Sequence, residues 1–127
     1  MKNNHLPDSF KYAFTGILET LKKERNFKIH VCVAVCALVL SILLKISVLE
    51  FVCILISIAL VLSAELINTA IEAAVDLIVG ERLHPLAKAA KDAAAGAVLI
   101  TAINAVAVGA AIFLRRLIDI FMRAGGF

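Results

Sequence analysis

Five polar side chains follow one stripe of an otherwise apolar helical segment in the middle of the chain. At 100° per residue they fall within about 60° of one line along the helix: Glu65, Asn68, Thr69, Glu72 and Asp76. A charge at the bilayer centre costs roughly 2.5–3.5 kcal/mol, so charged residues in such a segment usually face a cavity, a partner or an ion. Hydrogen bonds between helices could explain the Asn and the Thr, but a stripe made mainly of acids repels itself. The stripe therefore indicates a chemical site.

The acids of this stripe lie at different depths. The charge-free residues 51–64 precede Glu65 and rise about 21 Å at 1.5 Å per residue. Against a hydrocarbon core of roughly 30 Å, Glu65 lies past the middle, and Glu72 and Asp76 lie at the interface. The deepest acid suits a general base. The two nearer water suit a hard cation such as magnesium, and Glu24, at a similar depth, could complete that site.

The composition requires a membrane. The chain has 127 residues and is 62% hydrophobic, against roughly 45–50% for a soluble domain. A domain this small has too little interior to bury that much apolar surface in water. The cysteines are odd in number and lie in apolar runs, which argues against a disulfide framework.

Three apolar stretches predict three transmembrane helices, at about 29–49, 51–79 and 93–116. Ahead of them, about 8–26 carries apolar residues at helical spacing and predicts an amphipathic helix on the membrane surface. We expect a single all-α integral membrane domain over residues 1–127. With the N-terminus and the 80–91 loop inside, nine Lys and Arg lie on the cytoplasmic side and four on the other, which predicts this orientation although Arg115 and Arg116 fall outside.

The segment after the acidic stripe is rich in basic groups. Arg82, His84, Lys88 and Lys91 follow the stripe within a few residues. Basic groups beside acids indicate an anionic ligand bridged by metal, such as a nucleoside triphosphate, although a basic loop by itself is also a topology signal. The chain has no Gly-x-x-x-x-Gly-Lys loop, so a nucleotide site here is not of the usual soluble type.

Motifs along almost the whole chain resemble a known family. The stretches that carry the resemblance are Ser9–Gly16, Glu24–Phe27, Glu65–Asp76, His84–Lys88 and Ala90–Val98. Together they resemble the prokaryotic diacylglycerol kinase family, and the His-Pro-Leu-Ala-Lys stretch resembles its undecaprenol kinase branch of Gram-positive bacteria. The chain departs from the enterobacterial type at His30, where that type has an acidic residue, and after His84. Both departures favour a polyprenol over diacylglycerol.

The resemblance implies an architecture and a set of site residues. It implies a homotrimer of three-span subunits with shared active sites, and it implies magnesium and ATP. Glu65 would be the base on the lipid hydroxyl, with His30 near the lipid headgroup. Glu24 and Glu72 would hold the metal. The residues expected to bind ATP are Tyr12, Glu24, Asn68, Glu72, Asp76, His84, Lys91 and Asp92.

These observations predict a multi-pass kinase of the cell membrane that uses ATP and magnesium to phosphorylate undecaprenol at the cytoplasmic interface. We expect a lipid alcohol, ATP and the bilayer as partners, and no nucleic acid. The first alternative is a diacylglycerol kinase that makes phosphatidic acid. The second is an ion-translocating or structural membrane subunit, since a buried carboxylate on a small hydrophobic chain can also serve transport.

Overall fold

The computed structural model of the protein describes residues 6–125, and every regular element in that range is an α-helix. The helices are α1 (Leu6–Lys23), α2 (Arg25–Leu43), α3 (Val48–Val79) and α4 (Pro85–Ala124). The last three are long and apolar enough to cross a membrane. The prediction of an all-α fold with three helices long and apolar enough to span a membrane is therefore confirmed. The position of α1 on the membrane surface stays a prediction.

The helices differ from the predicted ranges at their ends. α1 and α2 are separated only by Glu24, whose extended backbone (φ −91°, ψ 118°) interrupts the helix. α2 already ends at Leu43, because the chain turns through Lys45, which has a positive φ of 48°. α4 begins at Pro85, well before the predicted span, because His84 caps it and proline suits the first helical position. Lys91 therefore lies on a helix, where the sequence had indicated a loop.

Both ends of α3 have clear local causes. Ser47 and Glu50 form a capping box: the Glu50 amide donates to Ser47 Oγ over 3.3 Å, and the Ser47 amide donates to Glu50 Oε2 over 2.7 Å. At the other end Gly80 takes a φ of 57°, which glycine adopts without a Cβ clash. The polar stripe occupies the half of α3 that leads to this glycine.

α3 and α4 form an antiparallel pair that positions the site. Their 32 and 40 residues correspond to about 48 Å and 60 Å of helix, longer than a bilayer core of roughly 30 Å. α4 makes the most extensive contact with α3, and α2 packs on α3 as the first arm of a hairpin. The buried apolar residues are few: Phe27, Ala34, Ile54, Val61, Ala94 and Ile112. Most other large apolar side chains face outward, which suits contact with lipid.

Candidate active site

Glu65 is a buried acid with a histidine beside it. Its residue surface is 4% exposed, and His30 Nε2 on α2 lies 3.1 Å from Glu65 Oε1. The contact forms because α2 and α3 run antiparallel, so the first turns of α2 lie level with the second half of α3. A carboxylate removed from water needs such a partner. The structure thus brings together the two residues predicted to meet the lipid.

One turn further along α3, Asn68 and Glu72 are linked. Asn68 Nδ2 donates to Glu72 Oε1 over 3.2 Å. A carboxylate only accepts hydrogen bonds, so the amide nitrogen must face it and the amide oxygen must point elsewhere. That oxygen, Asn68 Oδ1, is buried and has no hydrogen-bond partner. A buried acceptor without a partner is costly, which makes this oxygen a position for a ligand, a cation or water.

A polar cleft lies where α3 ends and α4 begins. It has a volume of about 280 Å³ and is lined by Asp76, His84, Lys88, Lys91 and Asp92, among others. Lys91 Nζ lies 2.5 Å from Asp76 Oδ1, and Lys88 pairs with Asp92 across one turn of α4. His84 Nδ1 accepts from the Leu86 amide over 3.2 Å. Four of the residues predicted to bind ATP thus line one cleft.

An apolar cavity lies between α2, α3 and α4. Its volume is about 360 Å³, and small or branched apolar side chains supply nearly all of its walls. His30 lines one part, and Val61 and Leu62, one turn before Glu65, line another. The His30–Glu65 pair therefore borders a space with the character of a lipid chain site.

Tyr12 and Glu24 are not joined to these groups within one chain. Tyr12 is 47% exposed on α1, and Glu24 is half-buried between α1 and α2. Within residues 6–125, neither side chain forms a hydrogen bond or ion pair with α3 or α4. The two thus stay candidate site residues on sequence grounds.

The polar stripe suits magnesium without enclosing it. Among residues 6–125, no three His, Cys, Asp or Glu side chains converge on one metal position. Magnesium usually keeps several waters and is bound by one or two carboxylates together with phosphates. The Glu72 carboxylate and the unpartnered Asn68 Oδ1 are oxygen ligands of this kind. They fit an ion whose coordination phosphates and water complete.

Two ion contacts were missed by sequence reasoning. The His30–Glu65 contact had a signal: both residues were placed toward the cytoplasmic ends of antiparallel spans. The second contact joins Arg116 Nη2 to Glu50 Oε2 at 2.5 Å, far from the polar stripe. It gives a structural role to Arg116, one of the two arginines that ran against the predicted orientation. Sequence spacing offered no signal for this pair, because the two residues are 66 positions apart.

Comparisons with known proteins agree with the residues that form this site. The sequence model of the family "Prokaryotic diacylglycerol kinase" matches residues 11–113, a range that contains every predicted site residue. The chain is 46% identical over 114 residues to an undecaprenol kinase of Bacillus subtilis (strain 168), covering 90% of this chain and 92% of that protein.

Two diacylglycerol kinases are also similar. That of Synechocystis sp. (strain PCC 6803) is 41% identical over 90% of this chain and 65% of its own length. That of Escherichia coli (strain K12) is 35% identical over 75% of this chain and 77% of its own. The chain therefore belongs to the prokaryotic diacylglycerol kinase family.

Proposed function

We propose that this protein is a lipid kinase that transfers the γ-phosphoryl group of ATP to the hydroxyl of undecaprenol at the cytoplasmic face of the cell membrane. The observation that carries the proposal is the order of groups along α3. A buried acid, Glu65, contacts His30, which lines an apolar cavity, and the same stripe continues to a polar cleft that contains Lys91. An apolar acceptor and a charged donor can meet along such a stripe.

Glu65 is the proposed general base. Its carboxylate takes the proton of the lipid hydroxyl as the hydroxyl oxygen attacks the γ-phosphorus. The bond from that phosphorus to the bridging oxygen breaks, and ADP leaves with the electron pair. Phosphoryl transfer needs mainly positioning and charge stabilisation, so a rigid helix that carries the base is a suitable scaffold.

The remaining residues are proposed to bind the donor. Lys91 adds positive charge beside the phosphates, with Asn68, Asp76, His84 and Asp92 around the nucleotide and Tyr12 contributed from α1. Glu72 and Glu24 are proposed to hold magnesium, and the free Asn68 Oδ1 supports an ion near Glu72. Bound magnesium supplies charge that offsets the negative charge of the transferring phosphoryl group.

A homotrimer with shared active sites accounts for the residues that one chain leaves apart. Within residues 6–125 the Glu24 side chain forms no hydrogen bond or ion pair with Glu72 or with any other residue of α3 or α4, and the polar cleft is open. A neighbouring copy that supplies Glu24 and Tyr12 would complete the site. The cytoplasmic orientation rests on the excess of Lys and Arg around this end of the helices.

Undecaprenol is preferred over diacylglycerol as the substrate because the match to an undecaprenol kinase covers nine-tenths of both chains. Diacylglycerol remains the second candidate, because two of the similar proteins carry that name and both lipids present one hydroxyl above apolar chains. The two activities share one mechanism and differ in the lipid alone.

The test is transfer of labelled γ-phosphate from ATP-Mg to undecaprenol and to diacylglycerol in parallel detergent micelles. Faster labelling of undecaprenol is the expected result. Faster labelling of diacylglycerol would keep the mechanism and overturn the substrate. No labelling of either lipid by the folded protein would overturn the kinase proposal.

The ion-translocating and structural alternatives are separated by nucleotide binding. A kinase should melt at a higher temperature with ATP-Mg, because a ligand that binds only the folded state stabilises it. A translocating subunit needs an acid with access from both sides, whereas this stripe leads to one end of the helices. An unchanged melting temperature at saturating ATP-Mg would favour the alternatives.

A further inference from the structure

The histidine next to the proposed base has a role that the kinase proposal leaves open. We infer that His30 is a positioning residue that holds the Glu65 carboxylate in its reactive orientation. This inference rests on the proposed function, because it assigns His30 to the base and so removes it from direct binding of the lipid headgroup.

The contact between the two side chains is specific. His30 Nε2 and Glu65 Oε1 are 3.1 Å apart, and the side chains are 24% and 5% exposed. An ionised carboxylate only accepts hydrogen bonds, so an attractive contact at this distance requires the proton on Nε2. Among residues 6–125 this is the one hydrogen-bond or ion partner of Glu65.

The neighbouring charges are already paired elsewhere. On α3, Glu72 accepts from Asn68. On α4, Lys91 contacts Asp76. Neither group reaches Glu65, so the orientation of its carboxylate depends on α2. With Oε1 in contact with His30, the second carboxylate oxygen is the one free to accept the proton of the lipid hydroxyl.

His30 lies between the apolar cavity and the proposed base. His30 lines the apolar cavity proposed for the lipid chain, and its Nε2 contacts Glu65 Oε1. Without that contact, the buried carboxylate would rotate about its last side-chain torsion. A displacement of about 1 Å at a reacting group can cost on the order of 10²-fold in rate.

Three substitutions of His30 separate positioning from mere packing. In His30→Gln the amide nitrogen reaches about as far as Nε2, whereas in His30→Asn it is shorter and corresponds to Nδ1. We expect His30→Ala and His30→Asn to lower kcat by about 10- to 100-fold with KM for ATP within about twofold. We expect His30→Gln to recover most of the lost rate. A Gln variant no better than Asn, or a higher lipid KM with unchanged kcat, would overturn the inference.

A second measurement does not require activity. Dicyclohexylcarbodiimide modifies protonated carboxyl groups in apolar surroundings, and mass spectrometry of the Glu65 peptide reports the rate, with Glu65→Gln as the blank. His30 covers one oxygen of the Glu65 carboxyl group, and its loss leaves that oxygen open to the reagent. His30→Ala and His30→Asn should therefore label about tenfold faster than wild type, and His30→Gln at the wild-type rate. Equal rates in all four proteins would overturn the role of His30. If wild type phosphorylates neither lipid, the kinase proposal fails while this labelling order still decides the inference.

Discussion

The two halves of α3 both carry polar side chains, and they differ in whether those side chains have all their hydrogen-bond and ion partners within the chain. Near the start, Glu50 accepts from the Ser47 amide and from Arg116. In the second half, Asn68 Oδ1 is buried without a partner, and Asp76 and Lys91 border an open cleft. The first set closes on itself and stabilises the helix hairpin. The second retains capacity for a ligand.

Metal removal should give the largest effect. Chelation with EDTA is expected to reduce phosphate transfer to background, and added Mg²⁺ should restore it, whereas Ca²⁺ should restore little because its longer bonds suit phosphate transfer geometry poorly. Circular dichroism should show unchanged helix content, because the capped α3 helix does not need the ion. Full activity in EDTA would remove magnesium from the site.

Substitution of the base should come next. Glu65→Gln keeps the shape and removes the proton acceptor, so kcat should fall by about 10²- to 10⁴-fold. Glu50→Gln is the matched control, since it makes the same chemical change on the same helix at the self-satisfied end. It should keep the wild-type rate per folded protein. If both variants lost the same share of activity, the distinction between the two ends would be wrong.

Substitution of Asn68 should weaken magnesium binding and leave lipid binding unchanged. Asn68→Ala removes the donor that orients Glu72, and loss of such a supporting contact typically costs about 10- to 100-fold in metal affinity. The Mg²⁺ concentration for half-maximal activity should rise by that factor, while KM for the lipid stays unchanged. A rise in the KM for the lipid alone would assign Asn68 to lipid binding and not to the magnesium site.

Substitution of Lys91 should have a smaller effect, which should appear in the KM for ATP. Lys91→Met removes a charge from the polar cleft, and KM for ATP should rise about tenfold, the value of one lost charge-assisted hydrogen bond. Lys45→Met removes the same charge at the turn before α3 and should leave KM for ATP unchanged. Equal KM values for ATP in the two variants would mean that the ATP phosphates do not bind beside Lys91.

The sequence predicted the helices and the stripe because both depend on periodicity. A residue's type and its spacing from the next polar group decide whether Glu65, Asn68 and Glu72 share a face. All three lie on the one helix α3, where Asn68 donates a hydrogen bond to Glu72. Helix ends depended on local caps. Pro85 and His84 start α4 before the apolar stretch at 93, because a capping side chain and a proline at the first helical position act independently of apolar periodicity.

Contacts between distant residues were beyond the sequence. The pairing of Glu50 with Arg116 depends on the axial register of α3 against α4. Side-chain packing between the helices sets that register, and apolar periodicity along one helix does not. The His30–Glu65 contact could be approached through depth, because both residues were placed near one interface. Which polar atom stays unpartnered, as Asn68 Oδ1 does, follows only from the assembled side chains.

The smallest effect should appear in stability without a change in catalysis. Arg116→Met removes the partner of Glu50, so the purified protein in detergent should melt a few degrees lower, because Glu50 stays near the helix hairpin without its cation. Arg115→Met is the control: its side chain is exposed and forms no ion pair within residues 6–125, so its melting temperature should match wild type. Both variants should phosphorylate lipid at the wild-type kcat below their melting temperatures. A lower kcat in Arg116→Met alone would mean that the far end of α3 is coupled to the polar stripe, because a purely structural pair cannot change the rate of protein that remains folded.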